Sequence, residues 1–294
     1  AFHGSRLDPS HIRQVMEGLV ATAEQRWGID RSRIAPETMF VSHETYTPAR
    51  GGSAQAEVDA LRHVFGSSAD RIVITNTKGY TGHVMDFPGT INTHYETFIK
   101  QVLDVTKSLA YHGFKKVILL NGHGSNMPNL DLAARRHNLE TDGECILAAW
   151  WHLLTVDPEF LPKWRDGVFP GSCAHACELE TSLYLYLDEE GVRKDRIKNH
   201  ISNLNDGNPY IWGDLFGKGA GALTSWTSSY SAKGVIGQPE LATKEKGEQV
   251  FNEAVKQLCG LVEFFRNRPK DKRQRHQSTE PTMPIPWGQR HEID

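Results

Sequence analysis

The feature that most constrains the fold is the alternation of short apolar strands with amphipathic helices. Residues 116–120 form an unbroken apolar run, as expected for the centre of a parallel sheet. A helical stripe precedes this run, and a further helix is predicted to begin at about Pro128. Strands that alternate with helices form a mainly parallel sheet with helices on both faces. We therefore predict one three-layer α/β domain over residues 1–266.

Hydrophobic spacing predicts the other elements. Helices are predicted at residues 12–27, 58–65, 93–112 and 242–265, strands at 39–41, 72–74 and 145–149, and a helix or strand at 179–187. Thr93 and Glu96 have the spacing of a capping box for the helix at 93–112, and Gly113 is its expected stop. The buried stripe of that helix is predicted to be Phe98, Val102, Val105 and Leu109.

Composition excludes several classes of partner. The net charge is −3 and 23% of residues are charged, which is typical of a protein without a nucleic-acid or membrane surface. No apolar run is long enough to cross a bilayer, and residues 1–5 lack a signal-peptide pattern. The four cysteines are expected to be free thiols, since Cys173 and Cys177 have no second pair with which to form a zinc ribbon. We expect a cytoplasmic protein.

The segment at residues 267–294 differs from the rest of the chain. It is first basic and then contains several prolines, which predicts an extended tail. Two interpretations stay open for it: packing on a neighbouring subunit, or a disordered end.

Two polar segments carry the candidate chemistry. Asn121-Gly122-His123-Gly124-Ser125-Asn126 follows the apolar strand directly, at the edge of the sheet where ligands bind. Glycines beside His123 would let its side chain approach a metal ion, while Asn121 and Asn126 could hold the loop through backbone hydrogen bonds. The second segment, at residues 175–182, contains His175, Glu178 and Glu180. By themselves, both segments have structural interpretations: a loop histidine, and a helix start with favourable acids.

Four ordered motifs make the chain similar to a known family. Phe87-Pro88-Gly89-Thr90 matches a Phe-Pro-Gly-Thr element, and the loop at 121–126 is close to Asn-Gly-His-Gly-Gly-Asn. Residues 175–182 follow His-Ala-Gly-Glu-x-Glu-Thr-Ser, and residues 234–247 match the closing segment. Residues 84–266 thus resemble the creatininase, or creatinine amidohydrolase, family.

This resemblance implies a metal-dependent hydrolase that acts on an amide-like or cyclic carbonyl small molecule. The family has a binuclear Zn²⁺, Mn²⁺ or Fe²⁺ site with a bridging hydroxide, and it forms homo-oligomers such as hexamers. Carried onto this sequence, His123 and Glu178 would be metal ligands, and His175 would transfer the proton to the leaving group. Glu180 would support the ligands or cap a helix. The resemblance further implies a substrate pocket formed by Asn121, Ser125, Trp150, Trp151 and His83.

Glu178 is assigned a ligand role because Ser125 stands where creatininase itself has a ligating glutamate. The resemblance also implies a catalytic role for Glu178. The same replacement means that the resemblance does not point to creatinine as the substrate.

The resemblance breaks down at the N-terminal side. The family's opening Gly-Ser-x-Glu-x-His-Gly-Pro-His segment, which supplies further ligands, is not recognisable. Residues 38–83 instead resemble the C-terminal half of a β-ketoacyl synthase, with His43 and His83 at its active-site histidines and Lys78 at the neighbouring lysine. No cysteine occupies that family's nucleophile position, so condensation chemistry is not expected.

Two explanations stay open: a chimera joined near Val84, or a divergent creatininase relative. If the metal site is complete, its remaining donors must come from His43, Glu44, His83 or Asp86. The alternative is a creatininase-fold oligomer without catalytic activity that has lost part of its ligand set.

Overall fold

The structure is a computed structural model that describes residues 40–41, 79–88, 90–202 and 207–272, together with residues 274, 276, 278 and 279. The predicted helices at 12–27 and 58–65 and the predicted strand at 72–74 lie outside the described residues. So do His43, Glu44, Lys78 and the proline-containing end of the tail.

The described elements alternate largely as expected. The helices are α1 (Tyr95–Tyr111), α2 (Met127–Glu140), α3 (Trp150–Leu153), α4 (Phe160–Trp164), α5 (Glu178–Leu187) and α6 (Lys244–Asn267). The strands are β1 (Phe40–Val41), β2 (Lys116–Asn121), β3 (Glu144–Ala149), β4 (Cys173–His175), β5 (Gly213–Asp214), β6 (Gly217–Lys218) and β7 (Ile236–Gly237). The segment at 179–187, left open between helix and strand, belongs to helix α5.

Strand β2 lies at the centre of the main sheet. The strand order is β1-β2-β3, and β1 pairs with β2 in parallel, with Phe40 opposite Ile118 and Val41 opposite Leu119. Val117, Ile118 and Leu119 are buried, as an unbroken apolar strand predicts. The α/β fold class is confirmed.

Clustering of contacts divides the chain into two compact units. The first contains described residues 81–88, 90–93, 149–202 and 207–260; the second contains 40–41, 79–80, 94–148 and 261–272. The prediction of one domain over residues 1–266 stays a prediction.

Helices α1 and α2 cover the sheet of the second unit. Phe98, Val102 and Leu109 of α1 are buried, and Val105 packs against the same core, which confirms the predicted stripe. Ala133 and Ala134 of α2 contribute small buried side chains. Because each large apolar side chain contributes about 1.5–3 kcal/mol when it is buried, this cluster is a main source of stability in the second unit.

The predicted start and the predicted end of α1 have different outcomes. The N-cap lies one residue later than predicted: it is His94 instead of Thr93, and it makes no side-chain cap hydrogen bond. The predicted capping box was therefore wrong, because Thr93 lies outside the cap position that it needs. At the other end Gly113 has φ 93°, and the Phe114 amide donates to the Leu109 carbonyl (3.0 Å). This confirms the glycine stop.

The first unit is built from short strands and from helices α5 and α6. Strands β4 and β7 pair antiparallel, and β5 pairs antiparallel with β6. Helix α6 comes so close to α5 at Gly247 that an added Cβ would lie 1.9 Å from the Ser182 carbonyl oxygen. No helix among the described residues has the length and apolar content needed to cross a membrane.

Candidate active site

The loop after β2 is held by its own asparagine. Asn121 is fully buried; its Nδ2 donates to the His123 carbonyl (2.7 Å), and its Oδ1 accepts from the His123 amide (3.1 Å). This short ring of hydrogen bonds fixes the backbone of His123 directly beyond the strand, and it confirms the predicted backbone hydrogen bonding of Asn121. The predicted place of Asn121 in a substrate pocket stays a prediction. The His123 side chain is half-buried, as is that of Ser125.

Asn126 ends the loop and begins helix α2. Its Oδ1 accepts from the Tyr80 amide (3.1 Å), which also confirms its predicted backbone contact. Its Nδ2 is buried and makes no hydrogen bond in the part of the chain that the structure describes, and the same holds for Asn129 Nδ2. One of these buried amide donors therefore ends the His123 loop, and the other lies in the first turn of α2.

His175 lies at the end of β4, next to a strained turn. Cys173 pairs with Gly237 and His175 with Ile236, with an irregular register between the two pairs. Ala176 has φ 48°, a left-handed conformation that is rare for residues other than glycine. Such strain persists only where surrounding contacts impose it, and it is concentrated at functional sites. Here the Ala176 amide donates to the Glu180 carboxylate, and Thr181 Oγ1 donates to the Ala176 carbonyl (3.3 Å).

Glu178 has several protein partners. Its side chain is fully buried, and it accepts from the Asp166 amide at Oε1 (3.2 Å) and from the Gly167 amide at Oε2 (3.0 Å). Lys246 of α6 forms an ion pair with the same carboxylate and with Asp166. A metal ion bound by Glu178 would have to compete with this ammonium group.

A second buried ion pair holds the start of β4. Asp214 accepts from Arg165 Nη1 (3.0 Å) and Nη2 (2.7 Å) and from the Gly171 amide (2.8 Å). Arg165 Nη2 also donates to Ser172 Oγ (2.8 Å). Burial alone would lower the pKa of Arg165, but its bonds to Asp214 outweigh burial and raise it.

His83 and Asp86 lie on a short segment of the first unit. Burial, followed by the positive charge of His175, lowers the pKa of His83, so these two histidines interact electrostatically. The Asp86 side chain is exposed and accepts from Ser228 Oγ. The Phe87 ring packs beside Gly234, where an added Cβ would lie 3.7 Å from it.

Trp150 and Trp151 begin helix α3 and pack edge to face, with ring centroids 6.0 Å apart. Trp151 is buried, whereas Trp150 is half-buried. The predicted role of a pocket wall thus stays a prediction for both residues.

The donor set for a metal ion is incomplete in the part of the chain that the structure covers. No group of three or more His, Cys, Asp or Glu side chains among the described residues is arranged to hold an ion. The described residues alone therefore do not fit the implied metal centre, and the predicted donors His43 and Glu44 lie outside them.

With this geometry in hand, comparison with known proteins identifies the family. The family description "Creatininase: Creatinine amidohydrolase" matches residues 59–262, more than half of the chain. The chain belongs to the creatininase family.

Curated members of the creatininase family are about a quarter identical to this chain over the segments that align. It is 27% identical over 183 residues to the creatinine amidohydrolase of Pseudomonas putida, covering 60% of this chain and 65% of that protein. It is 26% identical over 200 residues to the 3-dehydro-scyllo-inosose hydrolase of Thermotoga maritima, covering 63% and 62%. The chain thus spans less than two thirds of the length of both relatives.

Solved structures confirm the fold. A crystal structure of creatinine amidohydrolase (creatininase) matches with TM-score 0.55 and 20% identity, covering 85% of this chain and 95% of that chain. A putative creatinine amidohydrolase from Bacteroides fragilis matches with TM-score 0.53 and 23% identity, covering 68% and 74%.

The family match also bears on the predicted junction. It begins at residue 59, upstream of Val84, so residues 59–83 belong to the creatininase match. A junction at Val84 is not supported, and the comparisons do not show the likeness to a ketosynthase.

Sequence analysis missed the two buried ion pairs. Lys246 lies within the matched closing segment at residues 234–247, and neither Arg165 nor Asp214 belongs to a matched motif. Their partners are far away in sequence, with Arg165 and Asp214 separated by 49 positions. No local spacing in the sequence pairs residues that are so far apart.

Proposed function

We propose that this protein is a hydrolase of the creatininase family that acts on an amide-like or cyclic carbonyl small molecule with the help of a divalent metal ion. The observation that carries the proposal is the family match over residues 59–262, which includes the His123 loop and the strained His175 turn. Relatives named as a creatinine amidohydrolase, an inosose hydrolase and a precursor peptide peptidase support hydrolysis as the reaction class.

Among the residues described, His123 is the proposed metal ligand. Its backbone is fixed by Asn121, which limits the positions open to its imidazole. Further donors would come from His43 and Glu44, with Asp86 as another candidate. Similar structures named "Creatininase Mn" and "Zn-Zn type" support Mn²⁺ or Zn²⁺, with two ions if the ligand set is complete. A bound ion of this kind would activate water and polarise the substrate carbonyl.

His175 is the proposed proton-transfer residue, and His83 its neighbour in the substrate pocket. An imidazole is suited to this role because its usual pKa lies near neutral pH. Burial, followed by the positive charge of His175, lowers the pKa of His83, which favours the neutral form of its imidazole. Asn121, Ser125, Trp150 and Trp151 are the other proposed pocket residues. We further propose a homo-oligomer.

Metal content tests the proposal. The whole chain, incubated with Mn²⁺ or Zn²⁺ and then desalted, should retain at least one bound metal ion per chain. His123→Ala should lose it, and His112→Ala, at an exposed histidine after α1, should retain it. Hydrolysis should then be measured with creatinine, N-methylformamide and dialanine as probes. Retention of well under one equivalent by the unsubstituted protein would favour the alternative, an oligomer without catalytic activity.

A further inference from the structure

We propose that Glu178 and Lys246 form a buried ion pair that positions the turn carrying His175, and that Glu178 is a positioning residue rather than a metal ligand. This inference rests on the proposed function to the extent that His175 is its proton-transfer residue. The contacts that carry it join protein side chains and backbone amides.

The turn that carries His175 is strained. Between His175 and Glu178 the chain passes through Ala176, whose left-handed backbone opposes the ordinary preference of an alanine. Without outside support the turn would relax to a less strained conformation, and the direction of His175 would change with it. Glu180 supports the turn from within, through the Ala176 amide.

Contacts from outside the turn hold Glu178 in place. Glu178 is the first residue of α5, and its carboxylate receives the Asp166 and Gly167 amides from the segment after α4. Gly167 is needed for this approach, because an added Cβ would lie 2.4 Å from Ser172 Oγ and 2.9 Å from Glu178 Oε2. Glu178 therefore joins the start of α5 to a second part of the first unit.

Lys246 adds a third element. It lies in the first turns of α6, its ammonium pairs with Glu178 and Asp166, and the same group lies 5.5 Å from the centre of the Trp164 ring. The Trp164 indole also donates to the Lys246 carbonyl (3.1 Å). Burial would lower the pKa of Lys246, but the bonds to Asp166 and Glu178 outweigh it and raise the pKa, so Lys246 stays charged.

The contacts of the Glu178 carboxylate leave it poorly suited to a metal ion. Both oxygens of Glu178 already accept amide hydrogens, and one faces an ammonium group. A divalent cation at the same carboxylate would be repelled by Lys246. Buried ion pairs are often weak sources of stability, and their best-attested use is to select one arrangement of the surrounding chain. In this protein the selected arrangement is the His175 turn.

The test compares Glu178→Gln, Lys246→Met and Lys246→Arg in the full chain. Lys244→Met is the matched control, because Lys244 lies in the same turn of α6 but pairs with Glu189 at the exposed surface. The protein is labelled with ¹³C-histidine, and the imidazole signal of His175 is assigned from His175→Ala. Mn²⁺ bound per chain is measured on the same samples.

We expect Glu178→Gln and Lys246→Met to shift the His175 signal while they bind as much Mn²⁺ as the unsubstituted protein. Lys246→Arg should restore the signal at least in part, and Lys244→Met should leave it in place. If a hydrolysed probe has been found, the first two variants should lower kcat with little change in KM.

Two results would overturn the inference. Loss of Mn²⁺ in Glu178→Gln alone would make Glu178 a ligand. If the folded variants melt at a lower temperature but leave the His175 signal unmoved, the ion pair contributes to stability and does not position His175. If the unsubstituted protein binds no metal ion, the proposed function fails while the His175 signal still decides the positioning role. If Glu178→Gln or Lys246→Met prevents folding, the variant that still folds is compared with Asp166→Asn. Asp166 has an exposed side chain that pairs with Lys246, so this substitution also disturbs the ion pair.

Discussion

At the scale of single residues, the first unit depends on charges removed from water. Arg165 and Asp214 have side-chain exposures of 10% and 0%, so each would be costly to bury without the other. Asp214 also accepts from the Gly171 and Phe216 amides, which leaves its carboxylate well satisfied. The pair holds the segment that leads into β4, the strand that ends at His175.

Asp214→Asn should therefore lower the free energy of unfolding by about 3–5 kcal/mol, because it leaves the Arg165 guanidinium buried without its counter-charge. Urea titration followed by circular dichroism measures the change. Asp131→Asn is the control: Asp131 pairs with Arg135 on the exposed face of α2, and its loss should change stability by less than about 0.5 kcal/mol. Equal effects of the two substitutions would contradict the prediction.

His137 of α2 is a buried histidine that bears on how stability depends on pH. It is fully buried, its Nε2 contacts Thr141 Oγ1 (3.2 Å), and its Nδ1 has no hydrogen-bond partner within the described chain. Burial, followed by the charges of Lys270 and Lys107, lowers its pKa. The unfolded chain therefore takes up a proton at this site at a higher pH than the folded protein does.

Stability should consequently fall as the pH drops below about 6.5, the usual pKa of histidine, and continue to fall until the lowered pKa of folded His137 is reached. Urea unfolding at a series of pH values between about 5 and 8 measures the slope. His137→Gln should reduce this slope, and His112→Gln, at an exposed histidine, should leave it as it is. A slope that is the same in all three proteins would count against the prediction.

At the scale of elements, the two glycines of helix α6 have different structural roles. Gly247 lies where α6 meets the Ser182 carbonyl, and an added Cβ would come within 1.9 Å of that oxygen. Gly260, in the same helix, has nothing within 4 Å of an added Cβ. Close packing requires the first glycine, whereas the second only weakens the helix.

Gly247→Ala should destabilise the protein by about 2 kcal/mol or more, because a backbone carbonyl cannot move aside without separating α5 from α6. Gly260→Ala should stabilise it by about 0.5–1 kcal/mol through helix propensity. Differential scanning calorimetry should thus show melting temperatures that move in opposite directions. Two shifts of the same sign would refute the steric argument.

At the scale of the whole molecule, the proposed metal ion should be linked to folding. A ligand that binds only the folded chain stabilises it by about 2.7 kcal/mol when its concentration is a hundred times its dissociation constant. Donors spread between the His123 loop and residues near His43 would be brought together only by folding.

Added Mn²⁺ or Zn²⁺ should raise the melting temperature of the full chain in a concentration-dependent way. His123→Ala should abolish this rise, and His152→Ala, at an exposed histidine of α3, should retain it. Thermal denaturation at several metal concentrations gives the measurement. A rise that persists in His123→Ala would place the ion elsewhere.

The sequence by itself determined the elements whose signals are local. The apolar run of β2, the stripe of α1, the glycine stop at Gly113 and the asparagine-held loop at His123 all depend on residues close together in the chain, so spacing predicts them. The family motifs followed from the same ordered spacing.

Only the tertiary structure decided which charges are buried together. Glu178 and Lys246 are 68 positions apart, and their segments show no pairing signal. The sequence therefore left Glu178 as a candidate ligand, and the folded chain showed its carboxylate against an ammonium group. Which residues form an ion pair across such distances depends on how the helices pack. A buried charge pairs with the opposite charge that the packing places beside it.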